Sequence, residues 1–207
     1  MFLSAVFRKR GTERLEAFSD GIFAFAVTLL VLNLYDPTAR GSTNLLSGLL
    51  GEWPAFFAFI ISFINILIMW INHHNMFNYI KRISREFMLL NGLLLLFVVL
   101  TPFTTLLVSE HLLDSQANTA ALVYAGTFFI IAVVWNFLWH NATHFHNLIS
   151  EDVPDACVKQ IAREYIIVPI FYGIAFFVAL FSAVASLIII VCVSIYFGIT
   201  VTGGEQI

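Results

Sequence analysis

Charge is scarce in this chain: only 11% of its 207 residues are Asp, Glu, Lys or Arg, against about 25% in a soluble domain. What charge there is gives a net of -3. This removes the basic surface that a nucleic-acid binder needs. Cysteine is represented by Cys157 and Cys192 alone. One is expected in a loop and one in an apolar helix, so neither a disulfide framework nor a cysteine metal site is indicated. Polar low-complexity sequence is also missing, which excludes a disordered chain. What is present is 60% hydrophobic residues, 22 of them Phe, and a mean hydropathy of +0.90. A polytopic membrane protein remains.

The few charges cluster, and the gaps between the clusters mark the spans. Residues 53–80, 87–109, 115–150 and 165–204 carry none. A membrane helix needs about 20 apolar residues. The first two gaps therefore hold one helix each. The third holds a helix with a polar tail, and the last holds two, with the turn expected at the weakly apolar stretch Ser182–Ser186. A further segment precedes them, apolar apart from Glu16, Ser19, Asp20, Thr28 and Asn33. The expectation is an all-α protein with a single domain over residues 1–207 and six spans, near 14–35, 53–79, 87–109, 116–141, 164–183 and 185–203. Unbroken runs of this length argue against the short alternating segments of a membrane barrel. Pro102 and Pro169 lie within spans and are read as structural kinks.

Arg8, Lys9, Arg10 and Arg14 precede the first span, and Lys81, Arg82, Arg85, Lys159 and Arg163 fall in the loops on the same side. Only Arg40 falls opposite. The positive-inside rule then predicts a multi-pass protein of the cell membrane with both termini cytoplasmic and the first span an uncleaved anchor. Asp36, Glu52, Glu110 and Asp114 make the outer face mildly acidic, which concentrates cations there to a modest, salt-screened degree. Trp53, Trp70, Trp135 and Trp139 read as interface anchors.

Polar groups inside a membrane are costly and each needs a partner. Asp20 enters the first span at the depth where the second carries His73 and His74 and the third carries Asn91. A buried cluster of Ser19, Asp20, Asn91 and one histidine is expected near the cytoplasmic side, because adjacent histidines diverge by about 100° on a helix. Such a cluster either ties the first helix in place or serves as a proton relay or ion site. His140, His144 and His146 have helical metal-ligand spacing, but the segment leaves the membrane without an interleaved acid or cysteine, so an interfacial role is expected instead of a metal site. At about 100° per residue, Phe18, Ile22, Phe25, Leu29 and Leu32 form one stripe of the first helix, with Thr28 on its flank and Asp20 on the other side. If Asp20 looks inward, the stripe faces either lipid or a second subunit.

The run Arg14-Leu-Glu-Ala-Phe18-Ser19-Asp20 resembles the Arg-x-x-x-Phe-Ser-Asp signature of the potassium channels related to the lysosomal transmembrane protein 175. Trp70-Ile-Asn-His-His74 and the six-span layout are similar to that family as well. The resemblance implies a prokaryotic-type homotetramer in the bilayer, with the first helices lining a central pore for K+ and other monovalent cations. It implies no cofactor and no enzymatic role. The Thr-Val-Gly-Tyr-Gly filter of other potassium channels is absent from this sequence. On the family pattern, Phe25, Leu29 and Leu32 match apolar constriction positions, with Ile22 nearby, and Thr28 matches a pore-side threonine. Phe25 departs from the usual branched aliphatic residue, and its ring either tightens the gate or moves the narrowest point toward Leu29. Arg14, Phe18, Ser19, Asp20, His73, His74 and Asn91 belong to the signature and packing network. The rival reading is a proton-coupled secondary cation transporter that uses Asp20 and His73 or His74.

Overall fold

The computed structural model describes residues 2–37, 43–145 and 148–202. Arg40 and His146 lie outside them, as does the expected end of the last span at residue 203. Among the described residues the protein is helical, with one isolated antiparallel bridge between Ile80 and Ile149.

The first helix, α1 (Phe2–Leu29), ends in a 3-10 turn, Leu30–Asn33. It begins well before the residue 14 expected from hydropathy, because Arg8–Arg10 and the residues around them continue the helix outside the apolar span. A short helix not anticipated from the sequence, α2 (Leu45–Gly51), follows. Asn44 caps it, its side chain accepting from the amides of Leu46 and Ser47 at 3.0 and 3.2 Å. The long helices are α3 (Trp53–Tyr79), α4 (Arg85–His111), α5 (Ala117–His140), α6 (Asp155–Ala179) and α7 (Ala183–Thr202). Pro54 opens α3, where its missing N–H costs nothing. Ser84 caps α4 by accepting from the Phe87 amide at 3.1 Å, and Glu86 sits in the favourable first turn. A single π turn, Asn141–Phe145, extends α5.

Among the described residues, five helical stretches are long and apolar enough to cross a membrane: Thr12–Asn33, Trp53–Tyr79, Arg85–His111, Ala117–His144 and Asp155–Ala179. In α7 the described side chains, Ala183–Tyr196, form a shorter apolar stretch. The α6–α7 turn falls at Leu180–Ser182, earlier than hydropathy suggested. Ser182 caps α7, its hydroxyl accepting from the Ala185 amide at 3.3 Å. The small residues that follow serve close packing and not chain reversal: Ala183 is buried with Ala121 and Ala179, and Ser186 donates to the Ala175 carbonyl at 2.8 Å. Likewise Gly198 lets α7 approach α3, since a Cβ there would come within 2.9 Å of the Ile68 side chain.

Helix α5 is the centre of the bundle and packs against α4, α6 and α7. Helix α1 lies outside this core, on α3 and α4. Its buried residues Phe23, Ala26 and Leu30 meet Ile66, Leu95 and Val98. Trp135 and Trp139 are buried and pack edge-on against Tyr165 with centroids at 6.1 and 5.5 Å. They are core residues and not the interface anchors expected from their positions, because Tyr165 of α6 packs over both rings.

The loops after α3 and α5 are strapped together. The amides of Lys81 and Arg82 donate to the Leu148 carbonyl at 2.9 and 3.2 Å, and the Ser150 amide donates to the Tyr79 carbonyl at 3.0 Å. Lys81 donates to Asp152 at 2.9 Å across this strap. Lys81 holds the Asp152 carboxyl below its ordinary value, with help from the Ser150 hydroxyl. A lowered carboxylate value stabilises the strap above the unfolded-state value, near 4, and that support is lost as pH falls through the lowered value. In Lys81→Ala, an NMR titration of Asp152 is expected to shift upward; an unmoved midpoint would remove Lys81 as the cause.

Candidate pore face and helix-anchoring network

Helix α1 has one buried edge and one bare one. Ser19, Phe23, Ala26, Leu30 and Asn33 recur at spacings of four and three and are all buried, as one face of a helix requires. Phe18, Phe25 and Leu32 are 59%, 58% and 65% exposed in the single subunit, whereas Phe23 is 1% exposed. Thr28 is exposed beside them, with Ile22 and Leu29 half-buried on the flank. The Thr28 hydroxyl donates to the Phe25 carbonyl at 2.8 Å, so its oxygen lone pairs remain on the bare side. Both ends of the span are fastened. At one end the Asn33 side-chain amide donates to the Pro102 carbonyl at 2.9 Å, joining α1 to α4.

The other end is held by a chain of three buried side chains on three helices. Ser19 Oγ donates to its own helix at the Leu15 carbonyl, 2.9 Å away. Asn91 Nδ2 donates to Ser19 Oγ at 3.0 Å, and Asn91 Oδ1 lies 2.9 Å from His73 Nε2. Since the amide oxygen can only accept, His73 carries its proton on Nε2. Ser19, His73 and Asn91 are each fully buried. The histidine ring is boxed by Phe77, Phe23 and Trp135, with centroids at 4.6, 5.3 and 6.1 Å.

Asp20 is not in that chain. It is only partly buried and accepts from the Trp70 indole N–H at 2.9 Å. The reason is angular: Ser19 and Asp20 are adjacent and so diverge by about 100°. With Ser19 aimed into the bundle, Asp20 falls at its edge. One turn below, Glu16 meets His74 at 3.2 Å. Trp70 and His74 stack at 6.0 Å. Glu16, Asp20, Trp70 and His74 thus form a half-exposed zipper between α1 and α3, beside the buried chain. Arg14 is exposed at the foot of α1. The two histidines divide as their divergence demands, His73 inward and His74 outward.

Sequence reading missed two further polar clusters. Thr105 donates to Ser62 at 2.7 Å, and Ser62 shares a 2.9 Å hydrogen bond with Tyr124. Ser194 bonds to Asn65 and lies 3.1 Å from the Tyr172 hydroxyl. Scattered hydroxyls in apolar runs were the available signal, but their partners lie on helices far apart in sequence. His140 and His144 stack at 4.3 Å, and His144 Nδ1 lies 2.7 Å from the Thr143 hydroxyl. Among the described residues no group of three or more metal-ligating side chains converges.

Long apolar helices, buried polar ties between them and bare aliphatic-aromatic edges define a polytopic membrane protein. The sequence profile of the endosomal/lysosomal potassium channel TMEM175 family matches residues 14–102. A potassium channel of Chamaesiphon minutus is 41% identical over 91% of this chain and 94% of that one. The human endosomal/lysosomal proton channel TMEM175 is 31% identical over 63% of this chain and 29% of its own length. The crystal structure of a lysosomal potassium-selective channel TMEM175 homolog from Chamaesiphon minutus superposes with a TM-score of 0.82, covering 92% of this chain and 98% of that one. The chain belongs to the TMEM175 family; it is an ion channel and not an enzyme.

Proposed function

We propose that the protein is a K+-favouring cation channel of the cell membrane, with both termini cytoplasmic and α7 as a sixth span. Four subunits surround a central pore, and each contributes the Phe18–Leu32 edge of α1. The observation that carries this reading is the bare stripe itself. Helix α1 is fastened at both ends to α3 and α4, yet Phe25 and Leu32 stay more than half exposed. A relative of near-equal length bearing the name potassium channel supports the ion.

The mechanism follows from the side chains. A ring of Phe25, Leu29 and Leu32 makes a narrow apolar neck from which water withdraws, so ions cannot pass until α1 rotates or splays. K+ is preferred because it sheds its hydration shell at lower cost than Na+. Thr28 oxygens at the level of the neck replace part of that shell. The discrimination is therefore modest. The Ser19–Asn91–His73 chain holds α1 against α3 and α4 and sets which edge faces the axis; ions do not pass through it. Against the transporter reading with Asp20 and His73 or His74, Asp20 bonds to Trp70, His73 to Asn91 and His74 to Glu16, so neither histidine is the hydrogen-bond partner of Asp20.

The test is ion flux through the purified protein in liposomes. Fast uncoupled flux with K+ ahead of Na+ is expected. Slow flux that requires a proton gradient would contradict it.

A further inference from the structure

We propose that each subunit contains a binding site for a small neutral hydroxylated molecule, in a cavity between α3, α5, α6 and α7. The cavity holds about 70 Å³ and is not sealed. It lies inside the subunit, and Met69 and Trp135 of its walls also border the helix-anchoring network. Its walls are largely apolar and include Met69, Phe128, Ala132 and Val168. A charged occupant is therefore excluded by its desolvation cost.

The polar groups on the walls differ in what they still need. Asn65, Ser194 and Tyr172 satisfy one another, and the Asn65 side-chain amide also donates to the Ile61 carbonyl at 2.9 Å. Asn72 Oδ1 and Trp135 Nε1 are buried without a hydrogen bond. The Tyr165 hydroxyl lies beside the Trp135 N–H. Asn72 Oδ1 thus calls for a donor, and the Trp135 N–H can use an acceptor. A hydroxyl is both. A buried carbonyl left unpaired is costly, so a donor gains affinity there that an isosteric hydrocarbon does not. The volume suits a molecule of a few heavy atoms: it is about half of the roughly 150 Å³ that admits benzene.

Trp135 reports on the site. The probe is 2-bromoethanol, whose bromine quenches indole fluorescence on contact, compared with 1-bromopropane, of similar size but without the hydroxyl. The signal is read on the purified full-length protein as the part of the fluorescence lost in Trp135→Phe. Saturable quenching by 2-bromoethanol is expected, with apparent affinity at least threefold better than for 1-bromopropane. Asn72→Leu removes that threefold advantage. Ala132→Leu fills the cavity and abolishes saturation; Val168→Phe does the same from α6 should Ala132→Leu fail to fold. Quenching that rises linearly with both probes and persists in the filled variants would overturn the site and leave a cavity that holds only water.

Discussion

Asn91→Leu is expected to lower the stability of the folded protein by roughly 1–3 kcal/mol, the cost of leaving buried polar groups unpaired. The side chain is replaced by one of similar size, so no large cavity opens. What changes is that the His73 Nε2–H loses its acceptor and Ser19 Oγ loses a donor, both in the buried interior. Hydrogen bonds between membrane helices average nearer 0.6 kcal/mol in mutant cycles, because the unfolded reference finds other partners. The larger figure is expected here because His73 is sealed among Phe23, Phe77 and Trp135. The second variant separates the two explanations. Adding His73→Phe removes the orphaned group and supplies a ring that fits the same aromatic box. The double variant should therefore melt higher than Asn91→Leu alone. Thermal unfolding followed by size-exclusion chromatography reads both. A neutral Asn91→Leu would show that the tie carries little of the packing of α1.

Phe25→Ala is expected to raise ion flux about tenfold or more and to weaken the preference for K+. A barrier reduction of about 1.4 kcal/mol gives that factor. In the proposed tetramer the substitution acts once per subunit, so four rings would leave the neck together. The cost to folding is small, because Phe25 is 58% exposed in the subunit and contributes little to its core. Leu29 is half-buried and lies one turn further along. If Leu29 is the narrower ring, Phe25→Ala changes flux less than Leu29→Ala does; the larger effect therefore locates the constriction. Unchanged flux in both variants would return the stripe to lipid.

The helices were legible in the sequence because charge and apolar length set them directly. Asp155–Ala179 and Phe2–Leu29 run past the expected limits, since helix continues where hydropathy stops. Helix α2 is apolar, with Leu45, Leu46, Leu49 and Leu50, but at seven residues it is far too short to register as a span, and Asn44 marked its start. The Ser182–Ser186 stretch misled because small residues signal a turn and a close helix contact alike. In the site, Ser19, Asn91 and one of the two adjacent histidines could be brought together from depth alone; that it is His73 came from the structure. Asp20 could not be placed so simply: depth fixes the level of a residue but the 100° step fixes its direction. Trp70 looked like an interface residue, and only the register of α1 against α3 reveals it as the partner of Asp20. Ser62, Thr105 and Tyr124 meet through packing of three helices, which no single-segment pattern encodes.

The central claim is that the Phe18–Leu32 edge of α1 faces water in a pore. It is tested most directly by placing single cysteines at Phe25 and Leu32, and at Phe23 as a buried control, in a background with Cys157 and Cys192 replaced by Ser. A charged, membrane-impermeant thiol reagent is then added during ion flux. Modification at Phe25→Cys and Leu32→Cys that blocks flux, with Phe23→Cys inert, is the predicted result. Unmodified cysteines at both stripe positions, with flux intact, would contradict the account.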